Sequence, residues 1–482
     1  MLQKNSRWRT EWFANIPREL MAGAVATFAL IPEVIAFSFV AGVDPAVGLF
    51  ASFVISIVIA FTGGRTAMVS AAAGSVALVA APLVQAHGVA YLFAAGLLAG
   101  AVQVVFGLLR LGVLMRFVSS SVRTGFVNAL AILIFAAQVP HLVGANAATW
   151  AMLALGLAVI YLLPRLTRAV PSPLVAIVVV TGLALWLKLP LKTVADLGVL
   201  PQSLPSFGLP DVPWSLETLR LIALPAFAIA MVGLLESMMT ASVVDELTDT
   251  PSSKNRESSG LGLANIASSL FGGIAGCGMI GQTVSNVKYG GRGRLSTLFA
   301  GVFLLFLMVA LKPWVSQVPV AVLVAIMVMV SVSTFDWGSL RAVVRHPRTS
   351  SVVMLATVAV TVATDNLAAG VAVGVMLSGV FFTFKVARLL SIDVVEDAQG
   401  EGRTYLISGQ VFFASADMLV DAFDVREIAA RPVCIDVSQA HFWDVTAAGA
   451  LRKVVDRLKK YGSPVEVVGL GAASQTMIDR MV

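Results

Sequence analysis

The chain has 482 residues, of which 58% are hydrophobic and only 12% charged, and its mean hydropathy is +0.90. A soluble protein carries about 25% charged residues, so the deficit argues against a soluble enzyme and for a polytopic membrane protein. The net charge of +6, 33 basic minus 27 acidic residues, reads as basic residues anchoring cytoplasmic loops and not as a nucleic-acid surface.

The first residues, 1-MLQKNSRWRTEWFANIPREL-20, lack the apolar core of a cleaved signal peptide. Their interleaved Trp, Phe and Arg predict an interfacial amphipathic lead-in over 1–18. Apolar segments then run over 20–40, 46–62, 66–85, 89–109, 120–140, 148–163 and 171–187. After a Pro-rich break, 190-PLKTVADLGVLPQSLPSFGLPDVPW-214, come 219–243, 259–275, 277–289, 295–311, 318–334, 350–364 and 366–390. The pattern predicts fourteen spans in two sets of seven, within 19–188 and 215–390. Basic residues cluster at Arg7, Arg9 and Arg18, at Arg110 and Arg116, at Arg165 and Arg168, at Lys254 and Arg256, and at Arg341, Arg345 and Arg348. Counting those loops as cytoplasmic places both termini inside.

From 391 the composition changes. Strand-like 404–414, 432–438 and 464–470 alternate with helix-like 417–430 and 446–462, which predicts a small cytoplasmic α/β domain over 391–482. Cys277 and Cys434 are the two cysteines. Their separation and unlike contexts suggest neither a disulfide framework nor a metal cluster. No Ser-His-Asp set, nucleotide-binding loop or zinc pattern is visible, so neither an enzyme nor a cofactor is expected.

Two segments break the apolar pattern. One is 63-GGRTAMVSAAAGSVALVAAPLV-84, which starts polar and small and becomes an apolar helix after 71-AAAGS-75. The other, 276-GCGMIGQTVSN-286, is too polar for lipid and too short to span. Each is the third segment of its set, and paired interrupted segments at corresponding places point to a transporter's binding site. A helix that begins inside the membrane leaves orphan N–H groups and a partial positive charge at its start. Two such ends facing each other make an anion site without a buried cation. The alternative is that the small residues are helix-packing faces.

At this point a family is recognisable. The stretch 31-IPEVIAFSFVAGVDPAVGLFASF-53 resembles the first-helix signature of sulfate-permease-type (SulP) anion transporters, which include pendrin and prestin. The stretch 277-CGMIGQTVSNVKYGGRGRLS-296 resembles the tenth helix of bacterial members, among them a proton-coupled fumarate symporter. The stretch 433-VCIDVSQAHFWDVTAAGALRKVV-455 resembles a STAS domain. The resemblance implies seven-plus-seven inverted repeats divided into core and gate domains, a homodimer, and a bacterial inner-membrane location.

Carried over by motif, the resemblance implies a substrate site formed by Phe37, Ala73, Gly74, Ser75, Gly281 and Gln282, with Glu33, Glu236 and Thr240 as candidates for the coupling ion. Relatives commonly have Gln where this chain has Glu33, and prestin-like members have Arg where it has Gln282. An ionised Glu33 beside an anion repels it, so a proton and the anion should bind together. Glu33 as a structural carboxylate is the alternative reading. Glu236 and Thr240 are four apart, on one helix face; Glu236 could hold Na⁺, carry the proton or hydrogen-bond to the interrupted helix. In the STAS segment, Asp444 and Thr446 resemble the loop phosphorylated in soluble relatives, although a helix N-cap is the simpler reading. The expected function is proton-coupled symport of a small dicarboxylate such as fumarate. Sodium-coupled bicarbonate or sulfate uptake is the nearest alternative, and a channel-like or motor-like anion sensor, or a signalling scaffold with a membrane anchor, lies outside that class.

Overall fold

Fourteen apolar or interrupted segments require fourteen helices or half-helices, and each expected segment coincides with one. The structure, a computed structural model, describes residues 2–112, 118–166, 172–196, 207–345, 347–396, 402–424 and 431–471. Arg116, Arg168, the centre of the 190–214 break and the end of the expected 417–430 helix lie outside the described residues.

The first half comprises α1 (Leu2–Phe13), α2 (Ile16–Ala41), α3 (Pro45–Thr62), β1 (Ser70–Ala72), α4 (Gly74–His87), α5 (Val89–Leu108), α6 (Ser120–Ala136), the single turn α7 (Val139–Leu142), α8 (Ala147–Leu166) and α9 (Ser172–Trp186). The second comprises α10 (Leu216–Thr248), α11 (Lys254–Leu270), β2 (Gly276–Gly278), α12 (Ile280–Lys288), α13 (Leu295–Val315), α14 (Val320–Thr334), α15 (Trp337–Arg345), α16 (Arg348–Thr364) and α17 (Leu367–Ala387). Among the described residues, eight helical stretches are long and apolar enough to cross a membrane by length and composition, and α4, α9, α16 and Leu295–Ala310 of α13 are shorter apolar helices.

The helices sort into two bundles. One packs α2, α3, α4, α5, α10, α11, α12 and α13 together; the other packs α6, α8, α9, α14 and α16. The first bundle is tight because small residues let backbones meet. A Cβ on Gly100 of α5 would stand 2.7 Å from the carbonyl oxygen of Gly262 on α11, so either glycine is irreplaceable at that crossing.

The two interrupted segments pair with each other. β1 and β2 run antiparallel, Ala71 opposite Cys277, a pairing that periodicity did not predict. Their outer edges, which would be unsatisfied at membrane depth, are met by side chains. Ser52 Oγ accepts from Ala72 N (3.1 Å), and Ser56 Oγ donates to the Ser70 carbonyl (2.9 Å). On the other edge, Asn265 Oδ1 accepts from Gly276 N (2.8 Å) and Ser237 Oγ accepts from Gly278 N (2.9 Å), while Thr240 Oγ1 donates to the Gly278 carbonyl (2.8 Å).

Contacts divide the chain into two compact units, Met1–Val375 and Met376–Val482. The second contains a sheet in the order β3-β4-β5-β6: β3 (Ser391–Glu396), β4 (Arg403–Val411), β5 (Val433–Phe442) and β6 (Val465–Val468). β3 pairs antiparallel with β4, while β4–β5 and β5–β6 are parallel. α18 (Ala416–Asp421) and α19 (Val445–Lys460) connect them, as the β–α alternation predicted. β3 was not expected: its burial shows no period-two pattern, five of its six residues being exposed. Asp444 is the N-cap of α19. Its Oδ1 accepts from Ala447 N (2.9 Å) and its Oδ2 from Phe413 N (2.8 Å), so both oxygens have structural partners.

Candidate functional site

α4 and α12 each start one residue beyond a strand, after the N-cap residues Ala73 and Met279, both in extended conformation, and neither has a capping side chain. Each therefore presents first-turn N–H groups with no intrahelical acceptor and the positive end of its dipole. Both starts border one cavity of about 80 Å³ between the two bundles. That is room for a small anion or a few waters.

One wall comes from the first bundle: Glu33 and Phe37 of α2, Gly74 and Ser75 of α4, Glu236 of α10, and Gly281 and Gln282 of α12. The other wall comes from α6 and α14 and is apolar except for Thr334, with Phe126, Leu130, Ile134 and Val330. The lining contains two carboxylates and no Lys, Arg or His. Positive potential thus comes from helix ends and amide donors alone.

Ser75 Oγ donates to Glu236 Oε2, and Cys277 Sγ approaches the same oxygen at 3.0 Å. Glu236 is thereby tied to both interrupted segments. Gln282 is 1% exposed, and its Nε2 makes no hydrogen bond of good geometry, the Glu33 carboxylate being its neighbour. A buried donor so poorly met is costly, and this one lies in the wall of the cavity. Gly281 presents open space, since a Cβ there would find nothing within 4 Å. Gly74 does the reverse: a Cβ would come within 2.6 Å of the Phe37 ring, so its absence lets the ring sit against the start of α4.

The structure brings Glu33, Phe37, Gly74, Ser75, Glu236, Gly281 and Gln282 to one cavity. Ala73 and Thr240 are fully buried and are not in its lining. Ala73 contributes the carbonyl that accepts from Ala77 N, and Thr240 caps the edge of β2. Sequence reasoning missed the apolar wall, because Phe126 and Val330 read like any span residue. It also missed Ser237 and Asn265, whose only signal is a polar residue in an apolar stretch.

Residues 16–154 and 145–357 match the family model "Sulfate permease family", and residues 394–481 match "STAS domain". The putative sulfate transporter YbaR of Bacillus subtilis is 51% identical over 473 residues, covering 98% of both chains. The bicarbonate transporter BicA of Synechocystis is 27% identical, covering 97% of this chain and 91% of its own. Among solved structures, the transmembrane domain of a cyanobacterial BicA matches at a TM-score of 0.68 and 28% identity, over 74% of this chain and 98% of that one. Murine Slc26a9 matches in fold at a TM-score of 0.84 and 17% identity, over 96% of this chain and 87% of that one. With family models covering both parts of the sequence, the chain belongs to the sulfate permease family and carries a C-terminal STAS domain.

Proposed function

We propose that the protein imports a small anion together with a proton, binding the anion between the starts of α4 and α12. It is a multi-pass anion transporter of the sulfate permease type and not an enzyme. The observation that carries the proton reading is the lining: two helix N-termini and the Gln282 amide attract an anion, while among the described residues Glu33 and Glu236 are the ionisable side chains there. Two carboxylates and a dianion cannot share a small, poorly hydrated space without large repulsion. Protonating one acid lessens it, so proton and anion bind as a set.

Glu33 is the better carrier, because Glu236 already accepts from both Ser75 and Cys277, while Glu33 has only the Gln282 amide beside it. The substrate is a small anion, with the dicarboxylate fumarate as the first candidate and sulfate, also a dianion, and the monoanion bicarbonate, named in relatives, as its competitors. We further assign residues 1–18 as an N-terminal helix, 19–390 as the transport domain and 391–482 as the STAS domain. The protein is taken to be a homodimer in a bacterial inner membrane, with both termini cytoplasmic.

Uptake of labelled fumarate, sulfate and bicarbonate into proteoliposomes, under separate pH and Na⁺ gradients, tests this. Proton coupling predicts accumulation with an inward proton gradient and none with sodium alone. Accumulation driven only by sodium overturns it.

The Gln282→Ala variant is expected to fold and to bind substrate more weakly. Losing one hydrogen bond to a charged ligand costs about 1.5–3 kcal/mol, which raises the half-saturation concentration roughly ten- to 150-fold. An unchanged value removes Gln282 from the site.

A further inference from the structure

We propose that a second pocket, sharing no residue with the anion cavity, binds the phosphate of an anionic phospholipid headgroup. It has a volume of about 700 Å³ and forms where α1, the end of α3, the α10–α11 turn and the α12–α13 turn meet. Span ends lie at headgroup height.

Four arginines from three of these segments line it, against one carboxylate, Glu11. They do different things. Arg294 builds the wall: its Nε is 2.8 Å from Glu11, and its other nitrogens donate to the carbonyls of Ala60 and Gly63, both at 2.9 Å. Arg65 lies 3.2 Å from Asp245, yet its Nε is buried and meets no acceptor. Arg292 is exposed, and its Nη1 donates to the neutral carbonyls of Val287 and Gly291. Among the described residues, no carboxylate is within ion-pair distance of the Arg292 guanidinium. Arg256 is also exposed and leans on the carbonyls of Phe61 and Thr62. Glu19, Asp245 and Glu257 stand behind this lining, so what the pocket offers a phosphate is the Arg292 guanidinium, held on carbonyls alone, and the buried Arg65 Nε with no acceptor.

The aromatic residues decide between a lipid and a free phosphate. Trp12 is buried, with its ring centroid 5.0 Å from that of Phe61, while Trp8 and Phe61 are each 56% exposed on the pocket's edge. Free phosphate has no use for an exposed apolar edge. An amphiphile does: cations hold its phosphate while Trp and Phe meet its glycerol and first methylenes.

The test uses the full-length protein in detergent. Its unfolding temperature is followed while phosphatidylglycerol, phosphatidylcholine of the same acyl chains, or inorganic phosphate is added. Phosphatidylglycerol alone is expected to raise it, in a saturable way. Arg292→Ala should weaken the apparent affinity about fivefold, the worth of one basic residue beside an anionic lipid. Arg341→Ala, an exposed basic residue outside the pocket, should not. If Arg292→Ala fails to fold, Trp8→Ala, on the exposed edge, carries the same expectation of weakened affinity. An equal rise with phosphatidylcholine, or an unchanged response in the folded pocket variant, overturns the proposal. A full rise with inorganic phosphate alone overturns the lipid source and leaves a free-anion site.

Discussion

Replacing Glu33 by Gln is expected to abolish proton-driven accumulation while leaving substrate binding and exchange in place. Gln has nearly the shape of protonated Glu and cannot release a proton, so the variant is fixed in its anion-accepting form. On the proposed coupling, one proton across one pH unit is worth about 1.4 kcal/mol, which would sustain about a tenfold gradient of substrate in the unaltered protein. Glu33→Gln should bring that gradient to unity. Counterflow, which needs no net proton movement, should continue. The measurement is accumulation and counterflow in the same proteoliposomes, with the external pH lowered stepwise. Retained accumulation with the same pH dependence would falsify the role of Glu33 and shift it to Glu236, the other carboxylate of the cavity.

The second large effect is expected at Gly281. A Cβ there enters open space within the cavity wall, so a larger side chain can be accommodated without displacing backbone. Gly281→Leu should keep the thermal unfolding of the unaltered protein and lose uptake to background, because its side chain fills space of only about 80 Å³. Gly281→Ala should give a smaller loss, mainly in apparent affinity. Full uptake by the Leu variant would show that the anion binds elsewhere.

How much of this was legible beforehand depended on the kind of signal. Hydropathy located the spans because lipid imposes a one-dimensional length rule on apolar sequence. The start of α4 at Gly74 and of α12 at Ile280 was visible because polar and small residues interrupt that pattern. Pairing between β1 and β2 was not, since three-residue strands such as Ser70–Ala72 have no measurable period. That gap explains the placing of Thr240. Its spacing from Glu236 correctly placed both on one helix, but the hydroxyl serves a strand edge that the sequence did not reveal. The apolar wall from α6 and α14 was hidden for a different reason. Whether Phe126 faces lipid, protein or substrate is decided by tertiary packing, and its residue type is the same in all three.

The pairing of β1 with β2 also constrains how the protein is made. Ribosomes deliver Ala71 roughly two hundred residues before Cys277. At about 5–20 residues per second, the first strand waits on the order of ten to forty seconds for its partner. During that interval Ser52 and Ser56, already synthesised in α3, can satisfy only its outer edge. The inner edge has no partner inside the bilayer, where an unmet backbone group costs several kcal/mol. The nascent first repeat therefore has reason to leave this segment near water, or in the shelter of the insertion machinery. The proposed anion site is then among the last parts of the molecule to close, and a chain truncated before Gly276 would have half of that cavity and an unfinished membrane protein.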